Sequence, residues 1–353
     1  MSRHNIVQVL MSGILLFGAC AAHAAADHMY VFGDSLSDTG HAPIFDENGK
    51  LINIGNTFTN KEDTRPGRVW VSYLATLLGL PEPLPRSPLW STRYPTGNVE
   101  RSNYAVAGYN TRQIISSIND QKAVKKETAT GLKGASVFFD KKLYVVNDGF
   151  KEGHEKIGDK NIATLWGGGN DLLHGGDPVQ AARNIVASAK SIVDTDSFDC
   201  LIVMDMPDLG RLPYNVSFAD THKKNIDEVD AHRSALANRF NKELKQGLDS
   251  IEGPVLLVNI SRLLKDILDT PEKYGYLPIK QDRFCLKSDT VPCHEYKEKG
   301  DQSPQPAEVV FYDGIHPTTR THRLFAEYAY RSLSQPGAPS GCSGHLDNIR
   351  VGL

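Results

Sequence analysis

Three side chains, one near the start of the chain and two close together near its end, have the types needed for nucleophilic acyl transfer. An apolar run enters Phe32-Gly33-Asp34-Ser35-Leu36-Ser37-Asp38-Thr39-Gly40, which sets a serine directly behind a short strand. Near the other end the chain reads Asp313-Gly314-Ile315-His316-Pro317-Thr318. A serine hydroxyl is a poor nucleophile until a positioned base removes its proton. An imidazole in that role needs a carboxylate to fix its tautomer and stabilise the imidazolium. Asp313 and His316 lie three apart on one segment, so a single turn can set carboxylate beside imidazole. Pro317 biases His316 away from α geometry and fixes the turn before the helix that follows. Taken alone, a serine behind a strand is more often an N-cap or turn residue than a nucleophile.

Two more segments offer donors for a developing oxyanion. Asn103-Tyr104-Ala105-Val106-Ala107-Gly108 ends in a glycine whose backbone a substrate can approach closely. Gly167-Gly168-Gly169-Asn170-Asp171 sets an amide side chain behind another apolar run. Losing one such donor typically costs about 2.7–4 kcal/mol of barrier. The glycine run can also be a plain βα turn; a phosphate loop would need a following Lys-Ser/Thr pair, which is missing. Asp171 reads as an acidic residue in the first turn of the next helix. Asp34 reads as a support for its loop rather than a base, with Asp208 a second carboxylate to consider beside Asp313. His222 and His232 read as solvated, His322 as a packing residue of the terminal helix, and Trp70 and Trp90 as core or rim. An α/β-hydrolase elbow is excluded, because Ser37 stands where G-x-S-x-G needs its second glycine.

Apolar runs of strand length alternate with amphipathic stretches. The expected strands are 28–32, 103–106, 161–166, 201–206 and 255–259; helical patterns include 68–78, 178–193, 225–248 and 319–333. Such alternation implies a mostly parallel sheet with helices on both faces, and ligands of such sheets bind at the carboxyl ends of strands. Ser35, Gly108, Asn170 and Asp208 all fall there. The Lys-, Glu- and Gly-rich stretch 122–160 has no clean period and reads as an insertion, either a surface excursion or a cover for the site. The polar stretch 41–66 is a second long loop close to Ser35.

The four blocks together resemble the GDSL or SGNH family of esterases and lipases: Gly33-Asp34-Ser35-Leu36, Asn103–Gly108, Gly168-Gly169-Asn170-Asp171 and Asp313-Gly314-Ile315-His316, in the family's order. One departure is Ala107, where many relatives have a second glycine. The resemblance implies a single three-layer α/β/α, flavodoxin-like SGNH-hydrolase domain with about five parallel strands. It implies Ser35, Asp313 and His316 as the catalytic set, with Ser35, Gly108 and Asn170 forming the oxyanion hole. No metal or organic cofactor is implied. Within the family the blocks look most similar to secreted bacterial lysophospholipases and glycerophospholipid–cholesterol acyltransferases. The expected substrate is a small-molecule ester or lysophospholipid, met with at most transient membrane-surface contact and no obligate protein partner. A short-chain, choline or carbohydrate-acetyl esterase is the alternative, and an inactive binding protein on the same scaffold a remote one.

The 353 residues carry a formal net charge of -3, with both signs mixed throughout, which removes the electrostatic motive for binding nucleic acid. Residues 1–24 read as an export signal: Arg3, an apolar run, and Ala22-His23-Ala24 as cleavage site, leaving a domain at 25–353. Lipoprotein processing at Cys20 is the less favoured alternative. The short stretch after the terminal helix leads us to expect no C-terminal β-barrel translocator. In an oxidising compartment Cys285 and Cys293, around a short polar segment, read as a local disulfide, the alternative being two free thiols. The similar enzyme group suggests the same loop. Cys200, heading an apolar run, reads as a buried free thiol, and Cys342 has no readable state.

Overall fold

The computed structural model describes residues 28–40, 44–45, 51–53, 57–62, 67–85, 101–119, 150, 161–288, 290–297 and 304–346. The expected export signal, Cys20, Trp90 and, Phe150 apart, the 122–160 insertion lie outside these residues.

Four strands form a parallel sheet: β1 (His28–Gly33), β4 (Asn161–Trp166), β5 (Cys200–Met204) and β6 (Val255–Val258), in the order β1-β4-β5-β6. A small antiparallel ribbon of β2 (Ile44–Phe45) and β3 (Leu51–Asn53) lies between β1 and the first helix in the chain. Strands β4 and β5 are buried at every position, as their unbroken apolar runs require when helices cover both faces. The fifth expected strand, 103–106, is an extended segment along the outer edge of β1. It is held by Tyr104 N–H to Val31 O at 2.7 Å and Val106 N–H to Gly33 O at 3.2 Å. With that segment counted, the lateral order is the doubly wound one whose direction reverses between β1 and β4. The carboxyl ends of those two strands are where Ser35 and Asn170 emerge.

The helices are α1 (Trp70–Leu77), α2 (Thr111–Asn119), α3 (Gly169–Leu173), α4 (Pro178–Val193), α5 (Tyr214–His222), α6 (Ile226–Leu248), α7 (Ile260–Asp269), α8 (Thr319–Ser332) and the short α9 (Ser340–Ser343). Helices α1 and α7 pack on α8, whereas α4 packs between α2 and α6, which gives the two outer layers. Helix α4 starts where its signals say: Asp177 accepts the N–H groups of Val179 and Gln180, and Pro178 needs no acceptor. Asn225 caps α6 in the same way. The core has two aromatic centres. Trp166 meets Trp70 and Phe325 edge-on, at 5.9 and 5.8 Å between ring centroids. On Phe32, Tyr104 stacks at 5.2 Å and Phe150 packs edge-on at 5.4 Å.

One expectation is corrected. Cys200 is not a free thiol; it is joined to Cys342, 142 residues away. The C-terminal α9 folds back against the start of β5, so the tail brings its cysteine to the sheet. Cys285 and Cys293 are also joined. Closing a loop as long as the first should raise stability by about 4–5 kcal/mol in the chain-entropy account. Cys342→Ala should therefore lower the melting temperature while activity at 25 °C persists. Thermal unfolding followed by circular dichroism measures the first effect, and unreduced peptide mass spectrometry checks the pairing.

Candidate active site

Strand β1 stops at Gly33, and the chain turns over Asp34. The Asp34 carbonyl accepts the N–H groups of Ser37 and Asp38, both at 3.0 Å, and Asp34 Oδ1 accepts that of Leu36 at 3.0 Å. This turn lifts Ser35 off the end of the strand. At the opposite end of the sequence Asp313 Oδ1 accepts the N–H groups of Ile315 and His316, at 2.9 and 2.8 Å. The same carboxylate reaches the imidazole: His316 Nδ1 lies 2.8 Å from Asp313 Oδ2, and His316 Nε2 lies 2.9 Å from Ser35 Oγ. With Nδ1–H donating to a carboxylate, Nε2 is left to accept the serine proton. All three residues are buried, Asp313 completely.

Asn170 follows β4 at the start of α3, and its Nδ2 donates to the carbonyl of Tyr109 at 2.9 Å, beside Gly108. An amide nitrogen carries two hydrogens, so one remains. The backbone N–H groups of Ser35 and Gly108 donate to no acceptor among the described residues. Thus all three expected oxyanion donors have a hydrogen to give. Gly108 has φ +81°, and a Cβ there would meet no atom within 4 Å. Its requirement for glycine is the left-handed backbone, not space.

Several positioning contacts escaped the sequence reading, although Asp171 does sit in the first turn of α3 as expected. Asp38 Oδ2 accepts the N–H of Ala107 at 2.9 Å, and Asn103 Nδ2 donates to the carbonyl of Ser37 at 2.9 Å, so the first and second blocks hold each other. Asp171 accepts from the N–H and hydroxyl of Thr111, at 2.9 and 2.8 Å, which fastens the third block to α2. Asn60 Oδ1 accepts the N–H of Thr319 at 2.8 Å and Thr59 donates to the carbonyl of Pro317 at 2.9 Å, anchoring the histidine segment. Phe58 packs on the His316 ring at 5.0 Å. The Cys285–Cys293 loop backs the same turn through Gly314 N–H to Val291 O at 3.1 Å.

The remaining candidates separate cleanly. His322 is fully buried on α8; its Nδ1 accepts the N–H of Trp70 at 3.3 Å, serving the start of α1, where Val69 provides no side-chain cap. Burial, with His316 nearby, pushes its pKa down to about 3, so it stays neutral and is no base at ordinary pH. Asp208 is engaged with Gly210 N–H and the Ser234 hydroxyl. His222 and His232 are exposed, and Trp70 is core. Beside Ser35, Asn170 and His316 opens a pocket with apolar walls from Leu173, Met206, Leu212, Leu264 and Phe325.

The GDSL-like Lipase/Acylhydrolase family matches residues 29–329, which contain all four blocks. The chain belongs to that family. An uncharacterized protein in the trpE-trpG intergenic region of Pseudomonas putida is 30% identical over 359 residues, covering 94% of this chain and 54% of that protein. Esterase EstA of Pseudomonas aeruginosa is 29% identical over 350 residues, covering 93% of this chain and 50% of its own. The chain therefore spans about half the length of these curated relatives. A solved lipolytic G-D-S-L protein from Veillonella parvula aligns over 87% of this chain and 97% of its own, at 15% identity and a TM-score of 0.43.

The family's aspartate before the serine carries a pH dependence here. Burial raises the Asp34 carboxyl to about 7, against the lowering effects of the Leu36 N–H and His316. The folded chain then holds a proton that the unfolded chain releases above pH ~4. This contribution to stability is full below pH ~4 and is lost as pH rises through about 7. Asp34→Asn should therefore gain stability relative to wild type by on the order of 1–3 kcal/mol between pH 4 and 8. Urea unfolding of both proteins across that range measures it, and a difference that stays flat with pH would refute the raised carboxyl.

Proposed function

We propose that this protein is a carboxylic ester hydrolase acting through an acyl-serine on Ser35. The observation that carries the reading is the unbroken relay from Asp313 through His316 to Ser35, at 2.8 and 2.9 Å. Ser35 Oγ attacks the ester carbonyl as His316 Nε2 takes its proton, and Asp313 holds the resulting imidazolium. The carbonyl oxygen gains charge between the N–H groups of Ser35 and Gly108 and the Asn170 amide. The tetrahedral centre collapses when His316 returns the proton to the leaving alcohol. Water, deprotonated by His316 in the same way, then releases the acid and restores the serine. If another alcohol takes the place of water, the product is a new ester, which is the acyltransferase option.

The substrate in this reading is a lysophospholipid cleaved at its acyl ester. The apolar wall beside Ser35 suits a hydrocarbon chain and offers little to an acetylated sugar, whose bulk is polar. The short-chain esterase remains the second reading, since the same relay and pocket accept a small acyl group. Export of the chain, with the mature protein beginning near Ala25, belongs to the proposal and rests on the signal pattern at 1–24.

Ser35→Ala should abolish hydrolysis of p-nitrophenyl butyrate with the fold intact; turnover within tenfold of wild type would sink the nucleophile assignment. Asn170→Ala should lower kcat by roughly 10²–10³ with little change in KM, as expected for a lost oxyanion donor. On an acyl series, the purified protein should release fatty acid from lysophosphatidylcholine faster than acetate from acetylated sugars. A sharp optimum at acetyl or butyryl with no release from lysophospholipid would favour the short-chain esterase.

A further inference from the structure

Next to the catalytic pocket lies a second groove, and Leu173 of α3 lines both. The far wall of this groove comes from α5, α6 and the turn between them, with Phe218, Lys224, Glu228, His232 and Arg233. Arg233 is the unusual member. It is 6% exposed, yet no carboxylate lies within ion-pair distance of it among the described residues. Asp230, which attracts it from farther off, is paired with Arg283 at 2.7 Å. The Arg233 guanidinium instead stands 4.9 Å from the ring centroid of Tyr214 and 4.5 Å from that of Phe218, and it donates to Asn215 Oδ1. Desolvation without a paired carboxylate holds its pKa below the usual range. A buried cation met only by the Asn215 amide oxygen, the Tyr214 hydroxyl and two aromatic faces is costly to keep unless something else meets its charge. Lys224 lies on the same Phe218 ring at 5.5 Å and is likewise in no ion pair among the described residues. Two cations against the single carboxylate of Glu228 leave the groove one positive charge.

We propose that this groove is a subsite for a phosphodiester on the alcohol side of the substrate, the headgroup phosphate of a lysophospholipid. The inference rests on the lysophospholipase reading above. With the acyl chain in the apolar pocket and the ester carbonyl at Ser35, the alcohol side leaves past Leu173 toward Arg233 and Lys224. A phosphodiester carries one negative charge, which matches the groove, and its paired oxygens suit the fork of a guanidinium. The Phe218 ring lies against both cations and so holds them on one wall of the groove. A neutral acylglycerol gains none of this.

The test compares kcat/KM on 1-lauroyl-lysophosphatidylglycerol and on 1-lauroylglycerol for the full chain and for Lys224→Gln, Arg233→Met and Arg233→Lys. Losing one charge-assisted contact should lower kcat/KM on the phosphate-bearing ester about tenfold more than on the neutral one, mostly through KM. Arg233→Lys should recover part of that loss. Equal losses on the two esters, or no loss on the phosphate-bearing one, would overturn the subsite. If Arg233→Met fails to fold, exposed Lys224→Gln decides alone. A wild-type protein that cleaves p-nitrophenyl butyrate but neither lauroyl lipid would remove the lysophospholipase reading itself, a result distinct from equal losses in the variants.

Discussion

Asp313 is held entirely out of contact with solvent. A carboxylate in that position is tolerated only when its oxygens are filled by donors, and here they are: two successive backbone N–H groups and the His316 ring. The same bonds that offset its burial define the turn, choose the imidazole tautomer and aim Nε2 at Ser35. The relay from Asp313 through His316 to Ser35 and the local fold are therefore one hydrogen-bonded object. An asparagine at 313 would keep the shape and lose both the tautomer and the charge that stabilises the imidazolium.

Around that object the protein uses buried polar side chains as cross-links between segments that the sheet alone would leave independent. Asp38 reaches from the first block to the second, Asn103 reaches back, and Asp171 ties the third to α2. Their geometry matters because oxyanion donors work only when held in place before the charge develops. The α1 and α8 layer is fastened similarly, with His322 supplying a cap that the helix start itself lacks. Polar residues that read as bland in the sequence thus carry the precision of the site.

Most of the site was legible because each block is short and placed by a local rule, a strand end, a glycine turn or a three-residue spacing. The strand and helix pattern was legible for the same reason, and 161–166 and 178–193 begin and end as expected. Long-range pairings were not. Nothing local in Cys200-Leu201-Ile202-Val203-Met204 says that a cysteine 142 residues later will arrive beside it. Likewise Thr59 and Asn60 read as loop residues, and only folding sets them under the histidine segment. Arg233 falls within the expected helix 225–248, but its burial between two rings belongs to the packing of α5 on α6. Helix α7 was also left unassigned, although its buried Ile260, Leu263, Leu264, Ile267 and Leu268 keep a helical period.

The contact between Ser35 and His316 joins positions 281 residues apart. A ribosome makes Ser35 long before His316, and domains emerge N-terminal end first. Until the segment bearing Asp313 and His316 has been made and docked, the growing chain holds Ser35 without the imidazole that meets it in the fold. Contacts of such sequence separation also form late, since the loop they close must first be ordered. In a nascent or half-folded copy that contact is therefore missing, and the relay comes into being only when the fold that joins its two ends does.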